Sequence, residues 1–291
     1  MTFDQFKIKS EGVKHMLIAT LAFTVMQALI KQIGLVSVIQ IVFFRSVISA
    51  FISTSKLRKE GISIKGKNKK LLILRAIFGL ISMSLFFITI QRMPFGASVT
   101  IKYLSPMFAV VLAAIYLREK VEALQWLFIA LSVVGIILLK GFDTRIDNLN
   151  LILGVVGAFF GGLVYVVIRR IGKTEHPLVI VNYFMSISAL ASGILLLKYW
   201  ETPSLAELLI LVLIGWVGYF GQRFMTIAFQ LEETNVVAPF KYLELVYAFL
   251  VGYIIFGESY KILALLGVLI IIISFTSNYF VAQRYRSKKL A

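Results

Sequence analysis

Long apolar runs recur along the whole chain, and they constrain the fold more than any other feature of the sequence. Each has about 18–23 residues, enough for a helix to cross a hydrocarbon core about 30 Å thick. Ten such runs are present, at residues 15–33, 36–54, 71–90, 95–117, 122–140, 150–168, 178–198, 205–229, 235–256 and 261–283. The sequence therefore predicts an all-α integral membrane protein with ten transmembrane helices. Strands of a membrane barrel would instead alternate in polarity.

The rarer residue types exclude several classes of function. No cysteine is present, and the two histidines, His15 and His176, are far apart in the sequence. These counts exclude thiolate or histidine metal clusters and a serine–histidine pair inside the membrane. We predict no metal, no cofactor and no enzymatic activity. The 14 residues before the first run are mostly polar and that run has spanning length, so we expect helix 1 to remain uncleaved.

Basic residues give the chain a formal net charge of +16 and are unevenly distributed. With a cytoplasmic N-terminus, ten crossings place 20 of the 30 lysines and arginines on the cytoplasmic side and six on the other. Positive residues favour the cytoplasm, so we predict a bacterial inner-membrane protein with both termini cytoplasmic. The basic loop 56–70 is interpreted as an anchor on anionic lipid, because it lacks an aromatic side chain for nucleic-acid bases.

An internal repeat divides the chain into two halves. A shift of 139 residues aligns 91–139 with 230–278 without a gap. The matches include the triplet Lys-Tyr-Leu, which occurs at 102–104 and again at 241–243, each time in an otherwise apolar stretch. Because each half has five predicted helices, the second half enters the membrane from the opposite side. Such inverted repeats are characteristic of secondary transporters.

Over essentially its whole length, the sequence resembles the EamA-type permeases of the drug/metabolite transporter superfamily. The resemblance is carried by an arginine in helix 2, in FFRS at 43–46, and by apolar helices that end in a glutamate. Those helices read YLSPMFAVVLAAIYLREKV at 103–121 and YLELVYAFLVGYIIFGESY at 242–260. Leu245 and Arg118 depart from the family pattern at the paired positions.

The resemblance implies two EamA-type repeats, residues 12–140 and 150–283, each of five helices. It also implies that helices 1–4 and 6–9 surround a central cavity and that helices 5 and 10 are peripheral. Transport would then occur around a site near the midplane of the membrane.

Ionisable residues inside the predicted helices are costly in lipid and therefore mark candidate substrate contacts. Arg45 lies near the middle of helix 2, where we predict that it binds an anionic group of the substrate. A structural arginine that bonds helix-end carbonyls is the alternative. Arg223, near the inner end of helix 8, is interpreted as a rim residue.

Lys102 and Lys241 occupy equivalent positions in helices that run in opposite directions. We expect them at mirrored depths on opposite sides of the membrane, each attracting an anionic substrate group from its own side; snorkelling to the headgroups is the alternative. Glu244 follows Lys241 by one helical turn. It is interpreted as the partner of a cationic substrate group or as a proton carrier, with an ion pair to Lys241 as the alternative.

Polar and aromatic side chains near these charges complete the predicted substrate site, and they are Gln27, Tyr103, Tyr165, Tyr219, Gln222 and Tyr242. Glycines at three- and four-residue spacing in 154–162 and 215–221 are predicted to let helices pack closely.

Together these features predict a secondary active transporter of a small polar metabolite. An anionic or zwitterionic solute, such as an amino acid or a derivative, fits the excess of positive charge. The predicted partners are this solute and the bilayer, without nucleic acid; proton coupling is open, and the chain is a monomer or a homodimer. Alternatives are transport of S-adenosylmethionine or a nucleotide-sugar, and a lipid scramblase or channel.

Overall fold

The computed structural model describes residues 11–116, 121–231 and 240–290, and within these ranges it contains helices and turns but no β-strand. The helices are α1 Glu11–Gln32, α2 Val38–Lys59, α3 Lys69–Arg92, α4 Phe95–Lys102, α5 Ser105–Tyr116, α6 Ala123–Phe142, α7 Asn148–Ile171, α8 Pro177–Tyr199, α9 Leu205–Leu231, α10 Leu243–Ile254 and α11 Ile262–Leu290. A short 3-10 helix, Gly172–Thr174, follows α7.

Ten membrane segments follow from these helices. Eight are long and apolar enough to span a bilayer, and α4 and α5 together form one of them, Phe95–Tyr116. The other two are shorter apolar helices, Leu243–Ile254 and Ile262–Asn278. The predicted all-α membrane fold is therefore confirmed.

Successive membrane segments run in opposite directions, so their connections gather at two ends. One end, here called the Glu258 end, carries residues 33–37, 93–94, 143–147, 200–204 and 255–261. Contacts hold these connections together, as where Arg145 donates from Nη2 to the carbonyl of Ser259 at 2.6 Å. The other end, here called the basic end, carries residues 60–68 and 172–176.

Helix contacts are paired by a pseudo-twofold symmetry. Each of these contacts joins a helix of the first half to one of the second: α1–α9 matches α3–α7, and α2–α9 matches α3–α8. Three contacts, α2–α8, α4–α10 and α6–α11, are their own symmetry mates and therefore lie on the axis. The principal contact of both α6 and α11 is with each other, which puts this pair at the periphery. An inverted pair of five-helix units produces this pattern.

The fourth membrane segment, predicted as one helix over 95–117, is broken at Tyr103 and Leu104. Pro106 has no N–H to donate to the carbonyl of Lys102. The hydroxyl of Ser105 takes that place and donates to this carbonyl at 2.8 Å. The chain therefore turns at the first Lys-Tyr-Leu triplet without leaving that carbonyl unpaired.

The ninth segment turns at the equivalent triplet. Its helix was predicted over 235–256, whereas the described part begins at Phe240, turns at Tyr242 and continues as α10. Residues 232–239 lie outside the described ranges. Leu245, at the position of Pro106, donates its N–H to the carbonyl of Tyr242 at 3.0 Å.

Arg75 lies inside a helix of the bundle. It is one of the 20 basic residues assigned above to the cytoplasmic side, but it is the seventh residue of α3 and only 9% exposed, so that assignment was wrong for Arg75. Its guanidinium lies over the ring of Phe184 in α8, 4.0 Å from the centroid.

Glycines allow the close helix contacts that their spacing predicted. A Cβ at Gly162 of α7 would lie 2.7 Å from the Cβ of Phe108 in α5, and one at Gly218 of α9 would lie 2.8 Å from the sulfur of Met26 in α1. Larger residues would force these helices apart, so close packing is confirmed.

Candidate substrate-binding site

Glu244, in the first turn of α10, is fully buried and surrounded by donors from the first half of the chain. Gln27 of α1 donates from Nε2 to its Oε1 at 2.6 Å, and Lys102 Nζ lies 3.2 Å from the same oxygen. The hydroxyl of Tyr103 lies 3.0 Å from Oε2. One carboxylate of the second half is therefore bound by three side chains of the first.

Tyr103 joins the two broken segments. Besides its contact with Glu244, its hydroxyl lies 2.8 Å from the carbonyl of Lys241, so one proton is shared between two acceptors. Its ring lies 5.7 Å from that of Tyr242, centroid to centroid. The two Lys-Tyr-Leu triplets thus meet on the pseudo-twofold axis, where α4 contacts α10.

The two lysines lie near Glu244 but have different direct partners. Lys102 pairs with Glu244, lies 4.4 Å from the centroid of Phe86 and keeps 35% of its side chain exposed. Lys241 is hydrogen-bonded to Tyr165 and is close enough to Glu244 to interact electrostatically. Their placement on opposite sides of the membrane stays a prediction. In this structure Lys102 is the lysine that pairs directly with Glu244, whereas Lys241 bonds Tyr165.

Tyr219 and Gln222, also predicted to contact substrate, line a different space. It is a small cavity of about 20 Å³ near the basic end, between α2, α8 and α9. Its other lining residues are Ser49, Ser53, Leu178, Val181, Met185 and Arg223. This volume holds about one water molecule.

Among the described residues, Arg45 forms no hydrogen bond or ion pair with Glu244. It is 7% exposed, with Nη1 against the sulfur of Met83 and the guanidinium 5.7 Å from the centroid of Phe87. Its neighbouring charge is Arg75 of α3. The structure therefore divides the predicted site residues among the Glu244 cluster, the cavity near the basic end and the position of Arg45 beside Met83.

A second buried carboxylate closes the Glu258 end. Glu258 pairs with Lys31 at 3.0 Å and accepts the N–H of Phe95, the first residue of α4, at 2.9 and 2.8 Å. The hydroxyl of Tyr260 also donates to it, and Lys31 donates to the carbonyl of Met93 at 2.7 Å. This carboxylate caps α4 and connects it with the end of α1.

The Glu258→Gln substitution is expected to loosen this end. Losing the charge weakens the contacts with Lys31 and Phe95 by about 2 kcal/mol. The local opening equilibrium at the start of α4 then increases about thirtyfold, and amide exchange there becomes faster by the same factor. Hydrogen–deuterium exchange over residues 93–98 measures the change. The control is Glu175→Gln at the basic end, where a buried carboxylate accepts the N–H groups of Lys67 and Asn68. Equal exchange at 93–98 in both variants would contradict the closing role of Glu258.

Comparison with known families identifies the chain. The EamA-like transporter family matches residues 11–140 and 148–280, one match in each half. The chain belongs to the EamA-like transporter family. Within an EamA-type protein, the site around Glu244 therefore lies at the junction of the two matched regions' fourth helices.

Relatives of this EamA-type chain are named as transporters. The pseudopaline exporter of Pseudomonas aeruginosa is 27% identical over 277 residues, covering 94% of this chain and 96% of that protein. Human solute carrier family 35 member G1 is 30% identical over 266 residues, covering 85% and 73%. The S-adenosylmethionine uptake transporter of Rickettsia bellii is 23% identical over 289 residues, covering 99% of each. These names support transport rather than catalysis in general.

The fold of this EamA-type protein has also been seen in a solved structure. A crystal structure superposes with a TM-score of 0.65 at 15% identity, covering 94% of this chain and 98% of that one. Lys31, which pairs with Glu258, and the buried Arg75 were not among the residues predicted to be functional. The position of Arg75 five residues into an apolar run, LLILRAIFGL, was the available signal.

Proposed function

We propose that this multi-pass membrane protein is a secondary active transporter of a small anionic or zwitterionic metabolite. The two repeats, residues 12–140 and 150–283, would rock around the Glu244 cluster and expose it alternately to each side of the bacterial inner membrane. The observation that carries the proposal is a buried carboxylate of the second repeat that is bound by three side chains of the first, two of them at the helix break of the fourth segment. A broken helix at an axis between inverted repeats is a common place for a substrate site.

The charges in the interior favour an anionic solute. Five charged residues are buried or half-buried in the middle of the helix bundle, away from both the Glu258 end and the basic end. Within the described residues they are Arg45, Arg75, Lys102, Lys241 and Glu244. Four are basic and one is acidic. A carboxylate group of the solute would balance part of this excess positive charge. A simple cation would instead increase it.

Competition for the lysines supplies a mechanism. Glu244 accepts hydrogen bonds from Gln27 and Tyr103 and pairs with Lys102, an arrangement that suits the ionised carboxylate. A substrate carboxylate that binds Lys102 would compete with Glu244 and weaken the link between the two repeats. In this proposal Glu244 acts as an exchangeable partner of the lysines and not as a proton carrier.

A nucleoside-bearing solute is the second candidate. The rings of Tyr103 and Tyr242 lie 5.7 Å apart beside Glu244, where a flat base could stack and a cationic centre could meet the carboxylate. The relative named as an S-adenosylmethionine uptake transporter is consistent with such a solute. Purified protein in liposomes would be tested with amino acids, small carboxylic acids and S-adenosylmethionine as separate arms.

Alternating access predicts opposite labelling changes at the two ends. Because the chain has no cysteine, Phe256→Cys and Ser49→Cys each provide a single probe without altering the Glu244 cluster. Phe256 lies over Lys31 and against Phe95 at the Glu258 end, whereas Ser49 lines the cavity near the basic end. A transported solute should raise labelling at one position and lower it at the other, since it shifts populations only through differential affinity.

Labelling from each side of oriented vesicles also determines the orientation. Reagent outside cells should reach Phe256→Cys, if both termini are cytoplasmic as proposed. The matched control is Leu35→Cys, which is 95% exposed at the Glu258 end and should not respond to solute. Simultaneous labelling of both probes, independent of solute, would indicate a channel and reject alternating access. A response to lipid composition alone would indicate a scramblase.

A further inference from the structure

Two buried arginines converge beside α3. Arg45 of α2 is 7% exposed and Arg75 of α3 is 9% exposed. Nη1 of Arg45 lies against Met83, while Nη1 of Arg75 lies 2.8 Å from the Cβ position of Gly79. Gly79 and Met83 are one helical turn apart, a separation of about 5–6 Å. Both guanidinium groups therefore contact adjacent turns of α3 and are near enough for electrostatic interaction.

Several N–H groups of this pair have no acceptor. Nε of Arg45, together with Nε and Nη1 of Arg75, is buried without a hydrogen-bond partner. Within the described residues, no carboxylate lies within 4.0 Å of either guanidinium. Phe87 and Phe184 cover guanidinium faces, with centroids at 5.7 and 4.0 Å, but a ring face does not satisfy N–H groups in the guanidinium plane.

A merely structural role does not account for this arrangement. Structural arginines bond helix-end carbonyls or carboxylates, whereas these donors are unpaired. Burying an unpaired charge is costly, and placing a like charge beside it adds repulsion. Guanidinium groups bind carboxylate and phosphate oxygens with two parallel hydrogen bonds, which would remove both costs.

We propose that Arg45 and Arg75 form a second oxyanion-binding subsite for the transported solute. This inference rests on the proposed function, because it assigns a second anionic group to the same solute. Tyr165 connects the two regions: its hydroxyl interacts electrostatically with Arg75 and is hydrogen-bonded to Lys241. A solute with two anionic groups would contact Lys102 and Lys241 with one group and the arginine pair with the other.

Thermal unfolding of the purified protein tests the subsite directly. The probes are sodium acetate, succinate and phosphate, each compared with sodium chloride at equal ionic strength. The variants are Arg45→Met and Arg75→Met, and the control is Arg92→Met, because Arg92 is an exposed arginine at the end of the same helix as Arg75. A probe at ten times its dissociation constant should raise the unfolding temperature of wild type and control by about 3 °C more than that of the variants.

The control separates binding from general salt effects. Phosphate and similar ions also stabilise proteins by exclusion from their surface, but that effect is shared by all the variants. Equal responses in wild type, control and both arginine variants would overturn the subsite. The same holds if none of the three probes stabilises the wild type beyond chloride.

The unfolding temperature in the absence of a probe anion is a second, independent test of the subsite. Removing one of two unpaired like charges relieves their repulsion, so Arg75→Met should unfold at a temperature no lower than wild type in sodium chloride. A structural arginine would instead lower it by several degrees. If Arg75→Met does not fold, Arg75→Lys is the replacement variant. Lysine keeps the positive charge but lacks the planar guanidinium that forms two parallel hydrogen bonds, so probe binding should weaken by about tenfold.

The outcomes distinguish this inference from the proposed function. Probe binding that depends on both arginines, without transport by the wild type in liposomes, would support the subsite and reject the transport proposal. Transport that both arginine variants carry out with wild-type affinity would support the transport proposal and reject the subsite.

Discussion

We expect Glu244→Ala to lose transport and about 3 kcal/mol of stability. The substitution leaves Lys102, Gln27 and Tyr103 without their shared acceptor, and breaking a buried ion pair by removing one partner costs about 3–5 kcal/mol. The lower value applies because Lys102 is partly exposed and can be solvated. Transport should fall by about a hundredfold, since the group that links the two repeats is gone. Liposome uptake and thermal unfolding measure the two effects.

Two variants make this test specific. Glu201→Ala removes an exposed glutamate from a connection at the Glu258 end and should leave both measurements unchanged. Glu244→Gln keeps hydrogen-bonding atoms but removes the charge, so it should retain more stability than Glu244→Ala while still losing transport. Wild-type transport by Glu244→Gln would show that the charge of this side chain is not used.

Gly135→Leu is expected to separate the peripheral helix pair. A Cβ at Gly135 of α6 would lie 2.5 Å from Cγ1 of Ile271 and 2.7 Å from the carbonyl oxygen of Gly267, both in α11. Backbone atoms cannot turn aside as a flexible side chain can, so the helices must move apart. We expect a loss of about 3 kcal/mol, or about 6–12 °C in unfolding temperature.

The matched control lies on the same helix. A Cβ at Gly141 meets nothing within 4 Å, and leucine is a better helix former than glycine. Gly141→Leu should therefore be neutral or slightly stabilising. Equal unfolding temperatures for the two leucine variants would mean that the α6–α11 contact does not depend on the small residue at 135.

Some parts of the candidate site could be predicted from residue type and position alone. Seven residues that the structure brings together were predicted as site residues, and they are Gln27, Lys102, Tyr103, Tyr165, Lys241, Tyr242 and Glu244. Charged side chains in an apolar run are rare enough to stand out in a single sequence. Their mutual arrangement was not predictable, because depth along a helix does not specify which way a long side chain extends.

Local sequence signals could predict the break in the fourth membrane segment but not the one in the ninth. Pro106 was visible in the sequence and removes one N–H at the first Lys-Tyr-Leu triplet. Leu245 occupies the equivalent position in the second half, yet the chain turns there as well, at Tyr242. The hydroxyl of Tyr103 binds the carbonyl of Lys241 at that turn, a contact between residues 138 positions apart. No local pattern encodes such a partner.

The sequence by itself determined that this chain crosses a membrane as helices in two related halves. In lipid, backbone N–H and C=O groups must be hydrogen-bonded inside the protein, and a helix does this within one segment. The length and polarity of each apolar run are therefore sufficient to predict a membrane-spanning helix. Only the tertiary structure decided that Lys102, Tyr103 and Gln27 meet the carboxylate of Glu244, that Arg75 lies near Arg45 and that Glu258 caps α4. These contacts connect residues from distant segments, and they depend on packing around the pseudo-twofold axis, which one chain's residue pattern does not specify.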